Sequence, residues 1–292
     1  MRSVTKKAFA KINLHLDITG VRADGYHDVC NVMQSVSLCD TVTLTERADG
    51  EYYVHCNASY VPSDKSNLAV RAAIAFCEET GKSIGADITI EKNIPMAAGL
   101  AGGSADAAAT LLCMNELCEN PLSMEKLCKI GGRIGADVPF CIVGGTAFAD
   151  GKGDILHPFP SMPDCTLVIA CGGEGISTPV AFRMLDELYN NFTSDIFYSP
   201  RDLSALERAM SEGNVCATAR SIYNIFEKPI LSSRPVAANL RRIMISSGAL
   251  GAMMSGSGPS VFGIFDSKEK AQTACDTIEK IGVTPHVCFP IK

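Results

Sequence analysis

From Ala8 to Ile18 the chain sets the apolar residues Phe9, Ile12, Leu14, Leu16 and Ile18 against the polar residues Lys11, Asn13, His15 and Asp17. A period near two predicts a strand with one polar face, and that face can carry chemistry. The next stretch, TGVRADGYHDV, holds two glycines and an Asp-Gly pair and reads as a turn or loop. Strand-like runs at Val42–Leu44 and Tyr52–His55 make the first third strand-rich. The helix formers of NLAVRAAIAFCEET follow Ser66, with a serine or asparagine to cap the start and Gly81 to end the helix. A strand is predicted over Asp87–Glu91. In NIPMAAGLAGGSADAAATLLCMNELC a glycine-rich turn runs straight into an Ala/Leu helix that must stop by Pro121, and a second short helix is predicted over Ser123–Ile130.

Prolines and glycines then crowd GKGDILHPFPSMPD, a composition that suits a domain junction, and the boundary is placed near Pro160. Residues 1–160 are expected to form one domain and 161–292 a second. Beyond the junction CTLVIAC reads as a buried strand, and helices are predicted over Thr178–Asn190, Arg201–Ser211 and Pro235–Ser247. The segments SVFGIF, SKEKAQTACDTIEKIG and TPHVCF close the chain as strand, helix and strand. Strands and helices mix without a sustained βαβ alternation, so both halves are expected to be α+β.

Composition changes this picture little. A chain of 292 residues with 47% hydrophobic and 20% charged residues is an ordinary globular sequence, long enough to bury about 75% of its unfolded surface. The net charge of -6 argues against general affinity for nucleic acid or an anionic membrane, and neither is expected as a partner. An anionic small molecule can still bind where a few backbone N–H groups and a lysine are aimed at it. Thirteen cysteines are scattered without a C-x-x-C pair and away from the five histidines, which excludes zinc-ribbon and thioredoxin readings. The first residues lack a long apolar run and a cleavage site, and no segment reaches a membrane-spanning length of apolar residues. A cytoplasmic protein with reduced thiols is expected.

The strongest local chemistry lies in PMAAGLAGGSADA, where Gly99, Gly102 and Gly103 stand ahead of a helix start. Small residues let phosphate oxygens approach main-chain N–H groups, and the helix N-terminus adds unsatisfied donors and partial positive charge. A capped structural helix behind a glycine turn is the bland alternative; Ser104 can cap that helix or touch phosphate or Mg²⁺. Walker A loops are excluded: Phe76 stands where the first glycine before Gly81-Lys82-Ser83 is needed, and Gly151-Lys152 has Thr146 upstream and Gly153 in place of the hydroxyl.

The glycine segment, AFAKINLHL, IGADVPF at Ile134–Phe140 and MSGSGPSVFGIF at Met254–Phe265, in that spacing, resemble the superfamily of galactokinase, homoserine kinase, mevalonate kinase and phosphomevalonate kinase. AKIN, TGVRADGYH and GADVPF are most similar to its branch acting on a diphosphocytidyl ester of methylerythritol in non-mevalonate isoprenoid synthesis. The resemblance covers nearly the whole chain and is least distinctive between Tyr189 and Pro235. It implies a ribosomal-protein-S5-like nucleotide domain followed by a ferredoxin-like α+β domain that completes the substrate cleft. It also implies ATP with Mg²⁺ as cofactors and transfer of the γ-phosphoryl to the 2-hydroxyl of the cytidine diphosphate methylerythritol.

Carried onto this sequence, the resemblance implies nucleotide binding by Pro95, Met96, Ala97, Ala98, Gly99, Leu100, Ala101, Gly102, Gly103, Ser104 and Ala105. It implies Asp137 as the base for the alcohol proton and Lys11 as its partner, the two groups that phosphoryl transfer to an alcohol asks for. Taken alone, Lys11 reads as an exposed strand residue and Asp137 as a cap before Pro139. Asn13 shares a strand face with Lys11 by the period of two and can orient substrate. Tyr26 is expected to stack on cytosine, His27 to bond its edge, and Phe182 to supply the second aromatic face, although Phe182 alone reads as core. Gly256, Ser257 and Gly258 are supporting residues of the third motif. One departure is visible: GLAGGS places Ala101 where relatives of this type often carry glycine, and a positive φ there makes its Cβ costly.

Overall fold

The eight residues Lys11–Ile18 carry the first surprise, because burial overrides the amphipathic pattern in strand β1 (Ser3–Val21): Lys11, Asn13, His15 and Asp17 are as buried as the apolar residues between them. The computed structural model describes residues 2–189 and 201–292. These divide into two compact units, each built from separate stretches of chain: 2–10, 38–95 and 101–144 in the first, and 11–37, 96–100, 145–189 and 201–292 in the second. Strand β1 and strand β2 (His27–Arg47) contribute residues to both.

In the first unit, β3 (Tyr52–Cys56) and β4 (Gly85–Glu91) pair in parallel through the crossover helix α1 (Leu68–Thr80), with Val54 opposite Ile88. Parallel strands need such a connection, since a tight turn cannot reverse the chain twice. β4 also pairs antiparallel with the second half of β2, setting Val42 against Ile90 and Leu44 against Ile88. Asn67 caps α1 by accepting from Ala69 N, and Gly81 ends it in the left-handed region, as the sequence predicts. Helices α2 (Gly102–Leu117) and α3 (Met124–Ile134) follow, the second capped by Ser123. Helix α2 packs on α1 and buries nearly all its Ala, Leu and Met side chains, which fits its near-uniform apolar surface. A short helix α4 (Val138–Val143), not expected from sequence, starts at the Asp137-Val138-Pro139 step.

In the second unit β5 (Thr146–Asp150) and β6 (Ile155–Pro158) form an antiparallel hairpin across the Pro/Gly-rich stretch read as a junction, and β5 continues onto the first half of β2. The short strands escaped notice because Pro158 and the glycines of the turn mask them; Pro is tolerated at such an edge position. Strand β7 (Thr166–Cys171) belongs to a four-stranded antiparallel sheet with β9 (Gly251–Met254), β10 (Ser260–Phe265) and β11 (Pro285–Cys288), in the order β11-β7-β10-β9. Helices α9 (Pro235–Ser246) and α10 (Lys268–Glu279) bury Leu240, Met244, Ala274 and Ile278 against Val168, Val261 and Phe265 of this sheet. Helices α5 (Thr178–Leu188), α6 (Ser204–Ser211), α7 (Val215–Ser221) and α8 (Glu227–Ile230), with the two-residue β8 (Tyr223–Asn224), complete the unit. Asn190, the expected last residue of the α5 helix, lies outside the described residues.

Both units mix helices with strands as an α+β protein does. None of the thirteen cysteines is in a disulfide, and burial pushes the pKa of Cys30 up to about 11 and those of Cys113 and Cys165 to about 12. Among the described residues no helix is long and apolar enough to cross a membrane. Leu240, fully buried between α9 and the four-stranded sheet, tests that core: Leu240→Ala is expected to lower stability by about 2–5 kcal/mol in urea denaturation.

Candidate active site

Along the continuous segment Pro95–Ala105 the backbone alternates: Ala97, Gly99 and Ala101 have φ of 49°, 77° and 58°, while the residues between them stay at negative φ. Alternation of right- and left-handed residues turns successive N–H groups toward one concave side, the geometry of an anion nest. The carbonyls face the other way and are taken up by the second unit. Ser260 N donates to Ala98 O (3.2 Å), Lys11 N to Leu100 O (3.1 Å), and Ser255 Oγ to Gly99 O (2.8 Å). Gly99 is required twice, by its φ and by space, since a Cβ there would sit 2.0 Å from Ser255 O. Ala101, the position flagged in the sequence, does adopt the left-handed conformation.

In the first unit the same segment opens helix α2. Its N-cap residue, Ala101, makes no side-chain capping bond, and the first intrahelical bond runs from Ala105 N to Ala101 O. The amides of Gly102, Gly103 and Ser104 therefore have no intrahelical acceptor, and the first turn carries no acidic side chain. Donors and dipole together favour a phosphate at this point.

The second unit gathers a buried polar network around strand β1. Lys11 Nζ donates to Asn13 Oδ1 (2.9 Å), and Asn13 Nδ2 donates to Asn31 Oδ1 (2.8 Å). Ser255 Oγ lies 3.3 Å from the same Asn13 oxygen. Lys11 and Asn13 are 5% and 1% exposed, so the reading of Lys11 as an exposed strand residue fails. The glycine motif joins this network: a Cβ on Gly256, at φ 55°, would lie 3.3 Å from Gly99 O and 3.4 Å from Asn13 Oδ1. Asn224 fixes that turn by donating to Met254 O (2.7 Å) and Gly256 O (2.8 Å). Ser257 is only partly buried, and Gly258 leaves no room for a side chain beside Met254 Sδ. Further along β1, burial and then Arg201 hold His15 down to a pKa of about 4, while burial raises Asp17.

Asp137 belongs to the first unit, where it is half-buried at the start of α4, its carbonyl accepting from Cys141 N. Its side chain does not cap that helix. Tyr26, His27 and Phe182 belong to the second unit. His27 stacks on Phe182 with centroids 4.7 Å apart, and its Nε2 meets Asp186 Oδ1 at 2.7 Å. Phe182 sits edge-on to Phe226 at 5.0 Å and packs on the Leu16–Ile18 cluster, so it is both core and ring platform. Tyr26 is 59% exposed, with Lys152 Nζ 3.7 Å from its ring centroid and paired to Asp24 at 3.1 Å.

Sequence reasoning passed over several participants. Asn31 is a polar residue inside β2, Ser255 stands in the MSGSG motif beside the residues singled out from it, and Lys152 enters the sequence reading only in the exclusion of a Walker motif. Asp106 had a visible signal, a lone carboxylate in an Ala-rich helix. It and Asp40 flank Lys92 Nζ, at 2.8 Å for Asp106, with all three side chains buried in the first unit. Burial, opposed by Lys92 and reinforced by negative Asp40, lifts Asp106 to a pKa of about 7. Burial works against the Lys92 charge, but the two carboxylates outweigh it and raise its pKa.

Two sequence models match the chain, "GHMP kinases N terminal domain" over residues 67–145 and "GHMP kinases C terminal" over 184–283. The chain is 43% identical to the 4-diphosphocytidyl-2-C-methyl-D-erythritol kinase of Gloeobacter violaceus, across 94% of this chain and 90% of that protein. It is likewise 43% identical to the same kinase of Exiguobacterium sibiricum, across 92% of each. Among solved structures it resembles a 4-(cytidine 5'-diphospho)-2C-methyl-D-erythritol kinase with a TM-score of 0.81 at 29% identity, covering 99% of this chain and 100% of that one. Homoserine kinase from Cytophaga hutchinsonii shares the fold, with a TM-score of 0.76 at 19% identity, covering 100% of this chain and 95% of that one.

Two alanine–glycine exchanges test the loop. Gly99→Ala is expected to cost on the order of 2–5 kcal/mol, from a left-handed backbone and a Cβ driven into Ser255 O. Ala101→Gly is expected to stabilise by about 0.5–1 kcal/mol, because it relieves the left-handed Cβ at a partly offsetting entropy cost. Urea denaturation measures both. The buried carboxylate makes a pH prediction. Asp106 holds its proton more tightly folded than at its ordinary 3.8, so its contribution to stability is complete below about pH 4 and is lost as pH rises through about 7. Asp106→Asn is expected to remove that loss, seen as a flatter decline of unfolding free energy between about pH 5 and pH 8.

Proposed function

The chain belongs to the GHMP kinases, in the group of the 4-diphosphocytidyl-2-C-methyl-D-erythritol kinases, and from that premise we propose that Lys11 and Asp137 serve phosphoryl transfer to the 2-hydroxyl of this cytidyl alcohol. The chain is an ATP-dependent small-molecule kinase of non-mevalonate isoprenoid precursor synthesis. In the proposed reaction the bond from the γ-phosphorus to the ADP oxygen breaks and a bond to the alcohol oxygen forms. The alcohol proton passes to the Asp137 carboxylate, and the Lys11 ammonium stabilises negative charge on the moving oxygens.

The observation that carries the reading is the glycine segment: its carbonyls bond to the protein while alternate left-handed residues aim its amides at one concave side. That arrangement suits a polyanion and has no use in a purely structural turn. We assign Pro95–Ala105 to the triphosphate, Asn13 to orienting the alcohol, and Gly256–Gly258 to backing the loop. Tyr26, His27 and Phe182 are assigned to the cytosine, a reading supported by the His27–Phe182 stack and by the packing of Phe182 on the core. Residues 1–160 would supply ATP binding and catalysis, and 161–292 complete the substrate site.

Magnesium supplies charge neutralisation on the triphosphate in this chemistry and is held largely by phosphate and water oxygens. Among the described residues no group of three or more His, Cys, Asp or Glu is arranged to hold a metal ion. No protein ligand is assigned to it. Thirteen cysteines without a disulfide suit a reducing cytoplasm, where we place the protein.

The test is ADP release by the purified protein with ATP, Mg²⁺ and the cytidyl alcohol. Release is expected only when all three are present, and nucleotide binding without release would point to a silent nucleotide sensor. Asp137→Asn is expected to lower kcat by about 10²–10⁴-fold while nucleotide affinity stays within about twofold. Equal losses in both would remove Asp137 as the base.

A further inference from the structure

We propose that the buried cluster Asp40–Lys92–Asp106 is a positioning unit for the nucleotide, because it fastens the segment leading into the glycine loop to the segment leading out of it; this rests on the kinase reading above. Asp40 Oδ1 accepts from Asn93 N (2.6 Å) and Ile94 N (2.8 Å), the two residues ahead of Pro95. Its other oxygen accepts from Lys92 Nζ, which also donates to Asp106 Oδ2 (2.8 Å) in the second turn of α2. The two segments nearly touch at the same place. A Cβ built on Gly102, the first residue of α2, would lie 3.1 Å from Ile94 Cγ2 and 3.2 Å from Lys92 Nζ. One ammonium therefore closes the base of the loop that spans Pro95–Ala101.

Stability alone gives no reason for this choice of residues. An apolar trio of similar volume holds a core as well or better, since buried ions forfeit their hydration and recover it only with near-ideal geometry. Charge-assisted hydrogen bonds are short and directional, so they fix the separation of the groups they join more tightly than apolar contact does. The separation fixed here is that between the two ends of the loop, and with it the span over which Ala97, Gly99 and Ala101 take their left-handed turns. None of the three side chains reaches solvent to any useful degree: Asp40, Lys92 and Asp106 are 0%, 8% and 4% exposed. They act through the backbone they hold.

The decisive variant is Asp106→Leu, which cuts the link to α2 and leaves the neutral Lys92–Asp40 pair intact. Asp106→Asn keeps an oxygen for Lys92 Nζ and serves as the conservative rescue, and Lys92→Met removes the ammonium. Affinity for a non-hydrolysable ATP analogue with Mg²⁺ is measured by calorimetry on each full-length protein, beside KM for ATP, KM for the cytidyl alcohol, kcat and the thermal midpoint. Asp106→Leu and Lys92→Met are expected to weaken analogue binding and raise KM for ATP at least tenfold, with KM for the alcohol within twofold and kcat at saturating ATP within threefold. Asp106→Asn is expected to bind the analogue within threefold of wild type. Folded Asp106→Leu protein that binds the analogue as wild type does, or that loses both substrates equally, overturns the proposal. So does a cluster in which every variant, Asp106→Asn included, fails to fold. Wild-type protein that does not bind the analogue at all would defeat the kinase reading and this inference with it, whereas wild-type binding beside unaffected variants would defeat the inference alone.

Discussion

A cradle made of backbone amides can face an anion only if the carbonyls of the same residues are satisfied somewhere else. Each peptide unit carries a donor and an acceptor in fixed opposition, and a buried orphan of either kind is expensive. In this protein the acceptors of Ala98, Gly99 and Leu100 are met by Ser260 N, Ser255 Oγ and Lys11 N. That single requirement explains why three motifs far apart in sequence meet at the loop. AKIN supplies an amide as well as an ammonium, MSGSGPS supplies the Ser255 hydroxyl and the Ser260 amide, and the glycine run supplies the donors that remain.

The same logic governs the polar residues of β1. A lysine and an asparagine buried to 5% and 1% exposure need partners at every polar atom, and Asn13 is shared between Lys11, Asn31 and Ser255 to provide them. Such a network is costly to half-build and directional once complete, so it holds the ammonium in one place. Ser255 links it to the loop through Gly99 O. The position of Lys11 and the path of the loop are thus not independent variables.

Much of this was legible beforehand, for identifiable reasons. Helices α1, α2 and α3 announce themselves by caps, glycine stops and helix-forming runs, and β1, β4, β7 and β10 by β-branched or alternating residues. The hairpin β5–β6 was hidden because its strands are only five and four residues long, the second ending at Pro158, and α4 because six residues carry no period. Within the site, residues next to glycine motifs could be named from sequence, since local spacing places them. Ser255, beside Gly256 in the third motif, was within reach of that reasoning; Asn31, Asp40 and Lys92 were not, because their importance arises from pairings across long stretches of chain that no local pattern encodes. The left-handed Ala101 was foreseeable only as a conditional: the sequence says what a methyl there would cost, and the backbone shows that the cost is met.

Ala97 and Ala101 also have a dynamic meaning. A glycine at either place would wander over both halves of the Ramachandran map when no ligand is present, and a phosphate arriving later would have to quench that wandering. A methyl group narrows the wells that the empty loop can visit, and Gly175 abuts Ala97 so closely that its own Cβ would stand 2.3 Å from Ala97 O. Strain held permanently in the resting protein thus replaces an entropic toll levied at each catalytic cycle. The loop breathes less, and each incoming triphosphate has less disorder to remove.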